Sequence, residues 1–243
     1  MKSIKRLLPG LMLAAALTLA SHAAFADSAT YVFTMNTNSL SGTYGYLDMQ
    51  FSGGVPNPPN VYAPTATATV SNFSTGGTLN LTDPNNQVLG DVTGLLPASI
   101  AFNVTGDGDL NDYFEGLTFG NQISFDLTLS GPGVTAPVCP GTGGTTCELP
   151  GPFIIDFLNS GQNGFLFTND PTGSTPSGWV IGGVNVNVDA STTPFTNPGP
   201  GDGPSDLAIT PVPEPSAWLL LGTGLMAMFL MARNAGFRAG QLF

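Results

Sequence analysis

Between Gln122 and Ser130 the chain alternates without a break: Ile123, Phe125, Leu127 and Leu129 are apolar, and Ser124, Asp126 and Thr128 between them are polar. Successive side chains of an extended backbone point to opposite faces, so a strict period of two makes a strand with one face in a core and one in water. The pattern recurs in Ile100, Phe102 and Val104, interleaved with Ala101, Asn103 and Thr105, and in Val184, Val186 and Val188, interleaved with Asn185, Asn187 and Asp189. Residues 30–37, 44–51, 66–73, 77–81, 153–158 and 164–167 are further strand candidates. Turn clusters separate them: Ser52-Gly53-Gly54, Asp83-Pro84-Asn85-Asn86, Gly131-Pro132-Gly133 and Asp170-Pro171-Thr172-Gly173. With about nine or ten such strands, no helical period and no internal repeat, the expectation is an all-β domain. Residues 27–195 would form an antiparallel β-sandwich, jelly-roll-like, with a barrel as the second choice.

The charges narrow the chemistry. The chain has 5 Lys plus Arg, namely Lys2, Lys5, Arg6, Arg233 and Arg238, and 1 histidine, His22. Residues 27–232 therefore contain no cationic side chain. All 16 acidic residues lie beyond residue 26, and subtracting the two arginines there leaves a net charge of −14. Nucleic-acid binding needs cations to neutralise phosphates and is excluded. Ser-His-Asp and Cys-His catalysis lack their base, histidine zinc sites lack their ligand, and Schiff-base chemistry lacks its lysine. Carboxylate chemistry or calcium remains. Each carboxylate must be hydrated, hydrogen-bonded or metal-bound, because no ion-pair partner exists within 27–232.

The N-terminus reads as a signal peptide over residues 1–26. Lys2, Lys5 and Arg6 form a positive region, residues 7–20 an apolar one, and Ala24-Phe25-Ala26 a small-residue cleavage site. Signal peptidase would leave Asp27 as the first mature residue. At the other end, residues 196–211 read as a Pro/Gly-rich linker, part of a polar stretch beginning at Thr192. Val212-Pro213-Glu214-Pro215-Ser216 follows, and then an apolar run over 217–232 broken by Gly222, Thr223 and Gly224. A bilayer crossing takes roughly 17 to 25 residues, so residues 216–233 make a short transmembrane helix, with Trp218 at an interface and Arg233 and Arg238 on the cytoplasmic side. Residues 239–243 are a tail.

Proline-flanked glutamate, short apolar helix and terminal arginines, in that order over 212–238, resemble the PEP-CTERM sorting signal. The resemblance implies a membrane-anchored precursor processed by an exosortase at Val212, Pro213, Glu214 and Pro215, with Arg233 closing the helix. The product would go to the cell surface or the exopolysaccharide matrix. An ordinary C-terminal anchor is the plain alternative. The arginines depart from the family pattern: they are spread out, where the family clusters them almost at the C-terminus. The middle of the chain is also similar to a recurring PEP-CTERM ectodomain. Gly45-Tyr46-Leu47-Asp48, Gln50-Phe51, Ala68-Thr69-Val70-Ser71-Asn72-Phe73 and Gly90-Asp91-Val92-Thr93-Gly94 carry this similarity, with Asn111-Asp112-Tyr113, Thr118-Phe119-Gly120 and the run from Ser124 to Gly131. It implies no activity.

Four constellations remain. Cys139 and Cys147 flank a glycine-rich loop, and in an exported protein they read as a disulfide worth about 2.5 kcal/mol in the chain-entropy model. Asp107, Asp109, Asn111 and Asp112 open like a calcium loop. Glycine is missing at its sixth position and glutamate at its twelfth, while Glu115 and Asp126 are within reach in sequence; the alternative is an acidic turn. A glycosidase would need two carboxylates roughly 5 to 10 Å apart. Asp107, Asp109, Asp112, Glu115, Asp126, Glu148 and Asp156 supply candidates without a motif. Trp179 could stack on a sugar or close the core, and Tyr44, Tyr46, Tyr62 and Tyr113 lie in or beside turns. The expectation is a non-catalytic, structural or adhesive surface protein. A carbohydrate- or calcium-binding module is the alternative, and a carboxylate glycoside hydrolase comes last.

Overall fold

Alternating apolar residues build two antiparallel sheets in the computed structural model, which describes residues 28–53, 65–105, 110–135, 149–167, 170–175, 180–187, 189–197, 207–213, 222–226 and 228. The strands are β1 (Ser28–Asn36), β2 (Tyr44–Phe51), β3 (Ala66–Thr75), β4 (Thr78–Leu79), β5 (Gln87–Leu89), β6 (Val92–Gly94), β7 (Ile100–Val104) and β8 (Asp112–Thr118). They continue with β9 (Gln122–Ser130), β10 (Phe153–Asn159), β11 (Phe165–Phe167), β12 (Asp170–Thr175), β13 (Gly182–Val186), β14 (Thr192–Thr196) and β15 (Leu207–Val212). The first sheet runs β15-β1-β9-β3-β7-β6. The second runs β12-β11-β10-β2-β8-β4, with β13 on β10, β14 on β13 and β5 on β8.

The period-two segments bury the residues that their pattern selects. In β9, Ile123, Phe125, Leu127 and Leu129 are buried and the residues between them are not; β7 does the same with Ile100, Phe102 and Val104. One apolar cluster takes residues from both sheets. Phe153 of β10 meets Phe33 of β1 at 6.0 Å, Phe102 of β7 at 5.9 Å and Phe125 of β9 at 6.3 Å, each edge-on, while Phe33 stacks on Phe125 at 4.7 Å. Aromatic quadrupoles favour such edge contacts, so Phe153 ties the two sheets together through one side chain.

Several sequence expectations need correction. The linker expected over 196–211 overlaps strand at both ends, and the polar stretch from Thr192 begins with one: Thr192–Thr196 is β14 and Leu207–Val212 is β15. Leu207 is buried and Ile209 packs on the core, and Pro194 and Pro211 are tolerated because both strands lie at sheet edges. Asp170-Pro171-Thr172-Gly173 was expected as a turn and lies instead in β12, again an edge strand. Strand β8 had no expectation at all. Its inward register Tyr113-Glu115-Leu117 is broken by an acid and its outward register by Gly116, so neither face reads as apolar.

Residues 27–212 and the two termini, 1–26 with 213–243, form separate units. In the second, residues 222–226 and 228 are helical. Among the described residues no helix is long and apolar enough to cross a membrane. The signal peptide and most of the expected span 216–233 lie outside the described residues.

Candidate functional site

Strand β2 runs through the middle of the second sheet with β10 on one side and β8 on the other. Leu47, Met49 and Phe51 point into the core, which sends Tyr46, Asp48 and Gln50 to the opposite face. There Asp48 stands directly opposite Asp156 of β10, and Gln50 opposite Asp112 of β8. Directly opposed Cβ atoms are about 4.5–5.5 Å apart, and diagonal neighbours remain within reach. Three carboxyl groups thus share one patch of sheet. Asp48 is 9% exposed and Asp156 4%.

The hydrogen bonds around them are few. Gln50 Nε2 donates to both Asp48 oxygens, at 3.3 and 3.0 Å, and the Ile181 N–H donates to Asp156 Oδ1 at 3.1 Å. Asp112 Oδ1 is buried and receives nothing from any amide or hydroxyl. With no cation available, protons must supply the compensation. Burial, then the neighbouring Asp112 charge, pushes Asp48 up to about 8, and burial pushes Asp156 up to about 7 against the Ile181 hydrogen bond. Asp112 is also raised by burial, and its hydrogen bond with Asp48 opposes that rise. Asp48 and Asp112 therefore take up and release their protons as a pair. Neither Asp48 nor Asp156 is exposed enough to meet a sugar ring.

A second polar network covers the same sheet. Asp83 accepts from the Tyr44 hydroxyl and, at 3.4 Å, from Tyr46, while Asn85 Nδ2 donates to the Tyr46 hydroxyl at 3.0 Å. The Tyr44 bond lowers the Asp83 pKa, and burial followed by Asp83 raises Tyr44 to about 12. A side chain at Gly116 would collide with the Tyr44 hydroxyl, which explains glycine in mid-strand. Asn86 extends the network, donating to Glu115 Oε1 at 2.8 Å and accepting the Gly116 N–H at 2.8 Å.

Of the expected calcium ligands, Asn111 and Asp112 lie among the described residues, and each has other neighbours. Asn111 is 0% exposed, and its amide joins two segments: Oδ1 accepts the Asp91 N–H at 2.7 Å, and Nδ2 donates to the Asn103 carbonyl at 2.9 Å. Asp112 faces Gln50, Glu115 accepts from Tyr113 at 2.8 Å, and Asp126 accepts from Asn72 at 2.6 Å on the other sheet. Among the described residues no group of three or more Asp, Glu, His or Cys stands where it could hold a metal ion. Asp107, Asp109, Cys139, Cys147 and Trp179 lie outside the described residues. So do Ala24, Ala26, Asp27, Glu214, Pro215 and Arg233. The clustering of Asp48 with Asp156 was not foreseen. Its signal was one acid inside Phe153-Ile154-Ile155-Asp156-Phe157, an otherwise apolar strand.

An uncharged cleft of about 460 Å³ opens where β1 ends and β9 begins, lined by Thr34, Asn36, Asn38, Asn121 and Gln122. At the opposite end of β1, Val212 pairs with Thr30, and Pro213 follows as an exposed residue outside the ladder. Residues 211–234 match the PEP-CTERM protein-sorting motif. The chain carries a PEP-CTERM sorting motif. That motif marks an exported protein targeted by exosortase, and its first two residues, Pro211 and Val212, are the last two of β15. No curated protein and no solved structure matches the chain.

Proposed function

We propose that this PEP-CTERM protein is a non-catalytic structural or adhesive component of the cell surface or exopolysaccharide matrix. Signal peptidase would free it at Asp27, and exosortase would process it at Val212-Pro213-Glu214-Pro215. The observation that carries this reading is the sorting motif beginning in the last two residues of β15, at the edge of a β domain. The precursor would be held in the inner membrane by residues 216–233. The two sheets are read as a jelly-roll-like sandwich, supported by the contacts of Phe153 with three phenylalanines of the other sheet. A Cys139–Cys147 disulfide would staple the glycine loop. Replacing Glu214 by Ala in an exosortase-bearing host should leave unprocessed protein in the membrane, and unchanged release would leave only a plain anchor.

The cleft favours a second reading, a carbohydrate-binding module. Its lining offers amides and a hydroxyl and no charge, which suits neutral polyols better than acidic polymers. Trp179 would be a further stacking contact. Binding of the oxidised ectodomain to dextran or cellulose, weakened by Asn121→Ala with Gln122→Ala, would establish it. Equal binding by the double variant would remove the cleft from consideration.

A further inference from the structure

The sorting motif and the fold share residues. Pro211 and Val212 open the motif and close β15. Among the described residues β15 pairs only with β1, in a ladder from Leu207 opposite Met35 to Val212 opposite Thr30. The ladder is graded in strength. At its inner end Leu207 is 5% exposed and Ile209 packs on the core; at its outer end Val212 is 40% exposed.

Two consequences follow. The chain leaves the sheet at Pro213, so no spacer separates the ladder from Pro213-Glu214-Pro215. Antiparallel pairing also places the start of β1 beside the end of β15, so Ser28 and Pro213 emerge at the same end of the sheet. The outer edge of β15 has no partner strand among the described residues, but a protease cleft that closes around an extended backbone leaves no room for a neighbouring strand on either edge. Pro211 and Val212 cannot serve β1 and an enzyme cleft together.

We infer that the Thr30–Val212 end of the β1–β15 ladder is a latch on exosortase processing: Pro211 and Val212 leave β1 before the motif is taken up. The inference rests on the exosortase reading above. Leu207 and Ile209 keep the domain closed while the outer end opens, as local fraying at a strand terminus allows.

The test uses the full chain in an exosortase-bearing host, with pulse-chase of precursor and product. Thr30→Cys with Val212→Cys places two cysteines directly opposite each other, within disulfide reach. Processing should be lost in the cross-linked pair, unchanged in Thr30→Cys alone, and restored by reductant to the rate of the Val212→Cys single variant, whatever that rate is. A Gly-Ser spacer of about four residues between Val212 and Pro213, long enough to clear the sheet edge, should speed processing severalfold. Cross-linked chain processed at the rate of the Val212→Cys single variant overturns the latch, as does a spacer variant no faster than the unaltered chain. Failure of the two cysteines to cross-link overturns it too, because the ladder would not then reach Val212. If the unaltered chain itself stays unprocessed, or Glu214→Ala is processed normally, the exosortase reading has failed instead.

Discussion

Asn111 separates a structural role from a metal-binding one, because the two make opposite demands on its amide. The side chain is fully buried and bridges the Asp91 N–H and the Asn103 carbonyl. Asn111→Ala removes both bonds and leaves a small void. At about 1 kcal/mol net per hydrogen bond, plus the void, the loss should be about 2–4 kcal/mol. For a domain of this size that lowers Tm by roughly 5–15 °C. Asn111→Asp is the sharper test. It keeps the acceptor for Asp91 but turns the donor into an oxygen facing the Asn103 carbonyl, so it should destabilise about as much as alanine. A calcium ligand would behave otherwise, since aspartate binds calcium at least as well as asparagine. Urea and thermal denaturation, each with calcium and with chelator, read both variants. Losses that appear only with calcium, or an aspartate variant as stable as the parent, would refute the tie.

Two further predictions concern the carboxyl patch and the core. Asp48 and Asp156 hold protons in the fold that the unfolded chain releases above the ordinary value of 3.8. The stabilisation they contribute is therefore complete below about pH 4, falls as pH rises, and is gone once pH passes their folded values of about 7 and 8. Denaturation midpoints should decline from pH 5 to pH 9, and Asp48→Asn, which keeps the shape without the charge, should flatten that decline; an unchanged slope would show that Asp48 is already ionised. Phe153→Ala should cost about 3–5 kcal/mol by emptying the junction between the sheets, measured by urea denaturation, and a loss under about 1 kcal/mol, a surface-like value, would mean that the three edge contacts do not join them.

What the sequence disclosed was decided by local pattern. β9 and β7 are legible because every second residue is apolar and nothing in either strand contradicts it. β8 is not, since Glu115 sits in its inward register and is accommodated only by Tyr113 and Asn86, partners that no local rule supplies. β15 was hidden by Pro211 and by the Pro/Gly-rich residues before it, and its place is settled by pairing with β1 from the far end of the chain. The carboxyl patch has the same cause. Asp48 and Asp156 become neighbours only when β2 and β10 pair, and an acid in an apolar strand does not announce which strand it will face. The sorting motif lies at the other extreme: its order of proline, glutamate, apolar run and arginine is local and legible at once.

The most direct measurement is the intact mass of the protein recovered from the surface or medium of an exosortase-bearing host, beside the same chain in a host lacking the enzyme. Export and sorting predict a product that begins at Asp27, ends near Val212-Pro213-Glu214-Pro215 and lacks the apolar run. Without the enzyme, the chain should remain in the membrane through Phe243. A product that retains residues 216–243 in both hosts, or ends at the same residue in both, would contradict exosortase processing.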